Sequence, residues 1–158
     1  MLRYTVISLV AAAILPIAVS NAVLQTRASS DGVYLTYCWE ETNNTWTSQF
    51  PYYANALTGS QNGELPDDNT FAADSIAIWE GNRICATYAD TGVQFCSSIV
   101  ADANSYAVGQ FAGAGANEYA GFNCFKDNGR QLFQKKDPAT SLTTQCFSRY
   151  YCFQEDQS

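Results

Sequence analysis

Short stretches in which apolar and polar side chains alternate follow one another along most of the chain after residue 30. They are rich in β-branched and aromatic residues, which favour strands over helices. The pattern predicts strands at 32–39, 74–81, 83–88, 93–100, 105–113, 118–126, 130–135 and 143–153. Many short strands predict an all-β fold, a small antiparallel β-sandwich or barrel. One short helix fits within 97–107.

Turn-forming residues separate the predicted strands. The turn signals are Gly81-Asn82, Asp90-Thr91-Gly92, Gly113-Ala114-Gly115, Asp127-Asn128-Gly129 and Asp137-Pro138. The signal at 127–129 lies between two aromatic runs, so we predict a hairpin there. The segment 50–71 is polar, rich in Asn, Gly and Asp, and holds two of the four prolines. It predicts a surface excursion, with a helical turn at 53–57.

The stretch ICATYADTGVQFC, residues 84–96, predicts a hairpin whose register follows from its turn. A four-residue loop with its glycine in the left-handed conformation places Tyr88 opposite Val93. One face of the hairpin is then largely apolar, and Cys85 faces Cys96 in a non-hydrogen-bonded pair. The two chains approach most closely at such pairs, so we predict a Cys85–Cys96 disulfide.

The N-terminus has the pattern of a secretory signal peptide. A positively charged start is followed by an apolar run, YTVISLVAAAILPIAV, and then by small residues suited to cleavage. The run is shorter than the roughly 20 residues that span a bilayer, so no membrane span is expected. We predict a signal peptide at 1–22 and a secreted, extracellular protein. A cut after Arg27 would make 23–27 a short propeptide, which leaves 28–158 as a single disulfide-rich domain.

Six cysteines lie beyond the predicted signal peptide. An even number in an oxidising compartment predicts three disulfides. The chain has no C-x-x-C pair and no histidine, which are the usual parts of a zinc site. The sequence does not say how the four cysteines outside the 84–96 hairpin pair with one another. The six residues are Cys38, Cys85, Cys96, Cys124, Cys146 and Cys152.

The charge and the absence of histidine exclude several functions. From residue 28 onward there are 6 basic and 15 acidic residues, a net charge of 6 − 15 = −9, which repels nucleic acid and anionic lipid. Without histidine there is no Ser-His-Asp or Cys-His nucleophilic site. We expect no cofactor, no metal and no enzymatic activity. Glycoside hydrolysis by a carboxylate pair among Glu40, Glu41, Glu80 and Asp90 stays open.

Two local motifs carry further expectations. Asn43-Asn44-Thr45 is an N-glycosylation sequon, which predicts a glycan on Asn43 in a eukaryotic host. The same stretch, NNTWTS, resembles the calcium loop of βγ-crystallin-type domains. DSIAIWEG, residues 74–81, is similar to a strand of the small cysteine-rich yeast killer toxins of that fold. This resemblance implies a killer-type toxin or antimicrobial protein.

Aromatic residues make up 14% of the chain, and some of them must fill the core. Four of them flank predicted loops and are candidate binding residues, because flat rings suit protein interfaces and stack against sugar rings. They are Trp39, Trp46, Tyr52 and Tyr53.

The chain as a whole resembles the small, cysteine-rich, secreted effectors and elicitors of filamentous fungi. The likeness rests on the signal peptide, the short cysteine-rich mature chain, its aromatic content and the lack of a catalytic constellation. It implies a monomeric virulence factor that binds an extracellular protein or a cell-wall glycan of a host plant. The alternatives are a killer-type toxin or antimicrobial protein, and a cell-wall glycan-binding protein.

Overall fold

A computed structural model describes residues 30–56 and 63–154 of the chain. The predicted signal peptide, the segment 23–27 and the end of the predicted helical turn at 53–57 lie outside the described residues. A 3₁₀ turn, Ala103–Ser105, is the only helical element within the described ranges. The strands are β1 Gly32–Glu40, β2 Thr45–Tyr53, β3 Asp68–Ala73, β4 Arg83–Thr87, β5 Gln94–Ile99, β6 Phe111–Ala116, β7 Gly121–Lys126, β8 Gln131–Lys136 and β9 Thr143–Gln154.

All nine strands belong to one antiparallel sheet. Eight follow in the order β3-β2-β1-β9-β7-β6-β5-β4, and β8 pairs with β9 beside this path. The two ends of the order, β3 and β4, come together where the Thr70 hydroxyl donates to the carbonyl of Thr87 at 2.8 Å. The sheet is therefore a nearly closed barrel, and the prediction of a disulfide-stapled antiparallel β fold is confirmed in its barrel form.

Strand β9 is long enough to hold two partners end to end on one edge. Lys126 of β7 faces Tyr150, and Gln131 of β8 faces Phe147. The predicted hairpin at 127–129 is therefore wrong, because β7 and β8 run in the same direction along β9 rather than pairing with each other. The Asn-Gly signal correctly predicted a break between two strands, but the chain does not reverse its direction there.

The inner face of the barrel is filled with aromatic rings. Phe95 makes edge-to-face contacts with Phe50 and with Phe122, with both ring centroids 5.3 Å away. Gly115 of β6 lies against the Phe95 ring, and a Cβ atom there would clash with it. The expected turn at 113–115 is instead part of strand β6. Glycine is needed at position 115 because a side chain would collide with the rings of the core. The strand predicted at 105–113 therefore begins later in the sequence, at Phe111, as β6.

The segment 50–71, predicted as a surface excursion, begins and ends in strands. It contains the end of β2 and the start of β3, which pair with each other. Phe50 is fully buried inside the barrel and Tyr53 is 2% exposed on the opposite face. This burial of two aromatic residues outweighs the proline between them, which lies next to the edge strand β3 where it is tolerated.

The segment 74–81 is not a strand, although its side chains alternate as predicted. It makes one isolated bridge, between Glu80 and Ile99, and otherwise crosses the end of the barrel as irregular chain. Ile76 and Ile78 are exposed, whereas Trp79 is 1% exposed and lies inside the barrel. We call Trp79 the plug, because it fills this end of the barrel.

The plug segment is held in place by two residues of neighbouring strands. The Tyr37 hydroxyl of β1 donates to the carbonyl of Ala77 at 2.8 Å. Ser48 of β2 donates to the carbonyl of Ser75 and accepts from the amide of Ala77, both at 2.8 Å. These bonds satisfy backbone groups that would otherwise pair with a neighbouring strand. The segment therefore needs no strand partner.

Three disulfides join directly opposed residues of neighbouring strands. The Cys85–Cys96 bridge is present as the hairpin register predicted, with Cα atoms 4.0 Å apart. The pairings that the sequence left open are Cys38–Cys146, between β1 and β9, and Cys124–Cys152, between β7 and β9. Two of the three bridges thus fasten β9 to its neighbours on both sides.

Candidate functional site

An aromatic surface lies at the plugged end of the barrel. We call it the aromatic platform and define it as Trp39, Trp46, Gln145 and Phe147, which line a shallow depression open to solvent. The residues come from β1, β2 and β9, which lie side by side. Trp39 faces Trp46 across one strand pair and Gln145 across the other, so three of the four form one row across the sheet.

The platform exists because these strands continue past the plug. Along β1 the inward-facing side chains are Val33, Leu35, Tyr37 and Trp39, since side chains alternate between the two faces of a strand. Val33 and Leu35 are buried in the barrel and Tyr37 stacks on Trp79. Trp39 lies one step beyond the plug, where the barrel has no interior left. Its inward-facing ring is therefore only half-buried.

The rings of the platform support one another. The ring centroids of Trp39 and Trp46 are 5.5 Å apart with an interplanar angle of 55°, and those of Trp46 and Phe147 are 6.0 Å apart. Trp46 is the most accessible, at 38% exposure. Gln145 is half-buried beside the rings, and exposed Gln134 of β8 lies directly opposite it. Flat apolar faces thus stand next to amides that both donate and accept hydrogen bonds.

Polar contacts on the other face of β1 and β2 stiffen the backbone beneath the platform. The Glu40 carboxylate accepts from the Thr47 hydroxyl at 3.2 Å and from the Gln49 amide at 3.0 Å. The Cys38–Cys146 bridge lies on the same side, next to the platform residues in sequence. The platform is therefore built on a cross-linked part of the sheet rather than on a loop.

The four carboxylates considered for hydrolysis occupy different places. Glu40 is engaged as described, and Glu41 accepts from the amide and hydroxyl of Thr143 at 2.8 and 2.9 Å. Glu80 accepts from the hydroxyl of Tyr150. Asp90 is in the turn of the 84–96 hairpin. Three of the four carboxylates are thus acceptors in hydrogen bonds that join parts of the fold.

The four candidate binding aromatics do not form one exposed row. Trp39 and Trp46 come together in the platform, whereas Tyr52 lies at the opposite end of β2. Tyr53 is buried, 5.6 Å from the ring of Tyr34, and its hydroxyl donates to the backbone. Burial raises the pKa of Tyr53. Burial, followed by the hydrogen bond to Asp31, raises the pKa of Tyr52 to about 12.

Alkaline unfolding tests the burial of Tyr53. Because its pKa is raised in the folded state, its contribution to stability is complete below pH ~10 and is lost as the pH rises towards the folded value. We expect Tyr53→Phe to lessen the fall in unfolding free energy between about pH 9 and 11, by up to about 1 kcal/mol per pH unit. Urea unfolding across that range measures it. Equal slopes for both proteins would contradict the assignment.

Phe147 and Gln145 belong to the platform but were not among the candidate residues. In the sequence they are two residues apart within β9, and this spacing places both side chains on the same face of the strand. That spacing does not say which residues of a distant strand they meet. The pairing of Phe147 with Tyr37 joins positions more than a hundred residues apart, so sequence patterns alone could not find it.

Asn43 is exposed in the turn between β1 and β2, close in sequence to Trp46. Glycosylation of Asn43 stays a prediction. Thr45 and the residues after it, which resemble part of a calcium loop, belong to β2. Among the described residues there is no cluster of three or more carboxylate, thiol or imidazole groups that could hold a metal ion.

Comparisons with protein-family models, with curated proteins and with solved structures found no match for this chain. In the part of the chain that the structure describes, no helix has the length and apolar character needed to cross a membrane.

Proposed function

We propose that the protein is a secreted, non-enzymatic effector-type binding protein, and that the aromatic platform binds a neutral cell-wall glycan of its host. The single observation that carries the proposal is the row of Trp46, Trp39 and Gln145, which is solvent-open and lies on three neighbouring strands. The expected signal peptide and the acidic charge of the chain support an extracellular role away from nucleic acid.

The chemistry of the platform suits a sugar better than a protein partner. Sugar rings present C–H faces that pack on aromatic rings and hydroxyl groups at their edges that need donors and acceptors. Trp39 and Trp46 provide the faces, and Gln145 with Gln134 provides amides at the side. Successive strands are about 4.8 Å apart, so the row is an extended surface rather than a pocket for a single small molecule.

The charges of the protein favour a neutral glycan. The chain carries 15 acidic and 8 basic residues, so an acidic polysaccharide would be repelled by the protein as a whole. No charged residue lines the platform itself among the described residues. Binding should therefore depend little on salt, because it rests on ring packing and neutral hydrogen bonds.

Retention on insoluble polysaccharides tests the proposal. Purified, oxidised protein is incubated with cellulose, chitin, β-1,3-glucan and xylan, and depletion from the supernatant is measured. We expect retention on at least one of these, and Trp46→Ala should weaken it about 30-fold, as expected for an exposed aromatic anchor. Trp39→Ala should also weaken retention.

Phe71→Ala is the matched control. Phe71 is an exposed aromatic residue of β3, 53% accessible, and is not part of the platform. It should leave retention unchanged. Failure of the wild-type protein to bind any of the four polysaccharides, or unchanged retention in both tryptophan variants, would sink the glycan proposal. Infiltration of the same proteins into plant tissue tests the effector role separately, since a response that survives Trp46→Ala must depend on another surface.

A further inference from the structure

The end of the barrel opposite the plug is open and forms a cavity of about 410 Å³. This volume is within the range typical of small-molecule sites. The cavity lies at the first residues of β1 and the last residues of β2 and β9, beneath the turn of the 84–96 hairpin and the β6–β7 connection. Val33 of the cavity and Trp39 of the platform are six residues apart on β1, or roughly 20 Å, so the two sites are separate.

The floor of the cavity is apolar. It is formed by inward-facing side chains of three strands and by neighbouring loop residues. Phe95 and Phe122 are almost fully buried there, and their rings belong to the core. An aromatic or aliphatic group entering from solvent would thus be packed against apolar side chains and removed from water. The floor residues are Val33, Val93, Phe95, Ala120 and Phe122.

The rim of the cavity is acidic. Four carboxylates line it, and none of the described lining residues is a lysine or an arginine. Like charges gathered around a low-dielectric cleft focus a negative potential on its entrance. The four rim residues are Asp31, Asp67, Asp68 and Asp90.

A buried hydroxyl group in the cavity wall points to a ligand independently of the carboxylates. Tyr88 is 4% exposed, and its hydroxyl oxygen has no hydrogen-bond partner among the described residues. Tyr88 lines the cavity, and burial, followed by the negative charge of Asp68, raises its pKa. A buried polar group without a partner carries a desolvation cost, which a hydrogen bond to a ligand recovers.

We propose that this cavity is a binding site for an organic ammonium ion with an aromatic or aliphatic body. The ammonium group lies at the acidic rim, and the apolar body packs against the floor. Tyr52, Tyr88 and Tyr119 add ring faces that attract a cation. An organic anion is disfavoured by the rim. This proposal does not rest on the glycan site, since it uses the other end of the barrel and none of its residues.

Three indole compounds of nearly equal size and different charge test the proposal. Tryptamine is cationic at neutral pH, indole-3-ethanol is neutral and indole-3-acetate is anionic. Isothermal titration with the full mature protein should give at least tenfold tighter binding of tryptamine than of the alcohol, and no binding of the acetate. The difference should shrink as salt is raised, because the rim is open to solvent.

Substitutions in the cavity identify the groups responsible. Asp68→Asn keeps the shape and removes one charge, and should weaken tryptamine about tenfold while leaving indole-3-ethanol unchanged. Tyr88→Phe removes only the unpartnered hydroxyl and should weaken tryptamine about threefold. Asp74→Asn is the control, because Asp74 is exposed and does not line the cavity.

Equal affinity for all three compounds, or preference for the acetate, would overturn the proposal. So would a loss in Asp74→Asn as large as that in Asp68→Asn, which would show a general charge effect. Absence of binding by both tryptamine and octylammonium would also overturn it, since these represent the aromatic and aliphatic members of the proposed class. Loss of polysaccharide retention in Trp46→Ala leaves these outcomes unaffected, so failure of one proposal is distinguishable from failure of the other.

Discussion

Replacing Cys38 and Cys146 together by alanine is expected to cost about 5 kcal/mol of folding free energy, the largest loss among the three disulfides. The bridge closes a loop with a sequence separation of 108 residues. A cross-link stabilises mainly by limiting the unfolded chain, and the effect grows with the logarithm of the loop length. A domain of this size is stable by only about 5–15 kcal/mol, so the double variant should be close to unfolding at physiological temperature.

The other two bridges provide matched controls because all three join directly opposed strand residues. Their sequence separations are 28 for Cys124–Cys152 and 11 for Cys85–Cys96, which correspond to about 3.5 and about 3 kcal/mol. Thermal unfolding of the three double-alanine variants should follow this order. A Cys85→Ala, Cys96→Ala protein that melts as low as the Cys38–Cys146 variant would contradict the loop-length argument.

The 84–96 hairpin could be predicted in detail because everything that fixes its register is local. The amide of Gly92 donates to the carbonyl of Tyr88 at 2.8 Å, and Gly92 has a φ of 73°, as the predicted turn requires. Once the turn is fixed, period two fixes each facing pair, including the two cysteines. No information from the rest of the chain is needed.

Predictions failed where burial by distant residues decides the local structure. The residues around Phe50 resemble a loop because of the proline. They belong to β2 because burial of the Phe50 ring inside the barrel stabilises the strand. Trp79 and its neighbours alternate like a strand. Their backbone groups instead bond to side chains of β1 and β2, so no ladder forms. In both places, tertiary contacts outweigh local propensity.

The same distinction explains how much of each site the sequence could supply. Trp39 and Trp46 were candidates because they flank a short loop, and that loop places them opposite each other on paired strands. Phe147 required the register of β1 on β9, which depends on contacts across a hundred residues. The cavity at the end of the barrel opposite Trp79 was not predicted. Tyr88 and Asp68 both line it only when β3 and β4 close the sheet.

Trp79→Ala is expected to destabilise the protein by about 3–5 kcal/mol, because the plug is a fully buried indole ring. Its ring centroid is 5.3 Å from that of Phe50 and 6.2 Å from that of Tyr37. Truncation removes the transfer energy of the ring and leaves a cavity that the cross-linked strands cannot collapse into. At about 4 °C per kcal/mol, the melting temperature should fall by more than 10 °C.

Two further variants separate the plug from the segment that carries it. Ile78→Ala, one residue away and 70% exposed, should change stability by less than about 0.5 kcal/mol. Trp79→Phe should cost only about 1–2 kcal/mol, because it keeps a ring and removes the indole N–H, which has no partner among the described residues. If Trp79→Ala melts within 2–3 °C of Ile78→Ala, a loss below about 1 kcal/mol, the ring does not fill the end of the barrel.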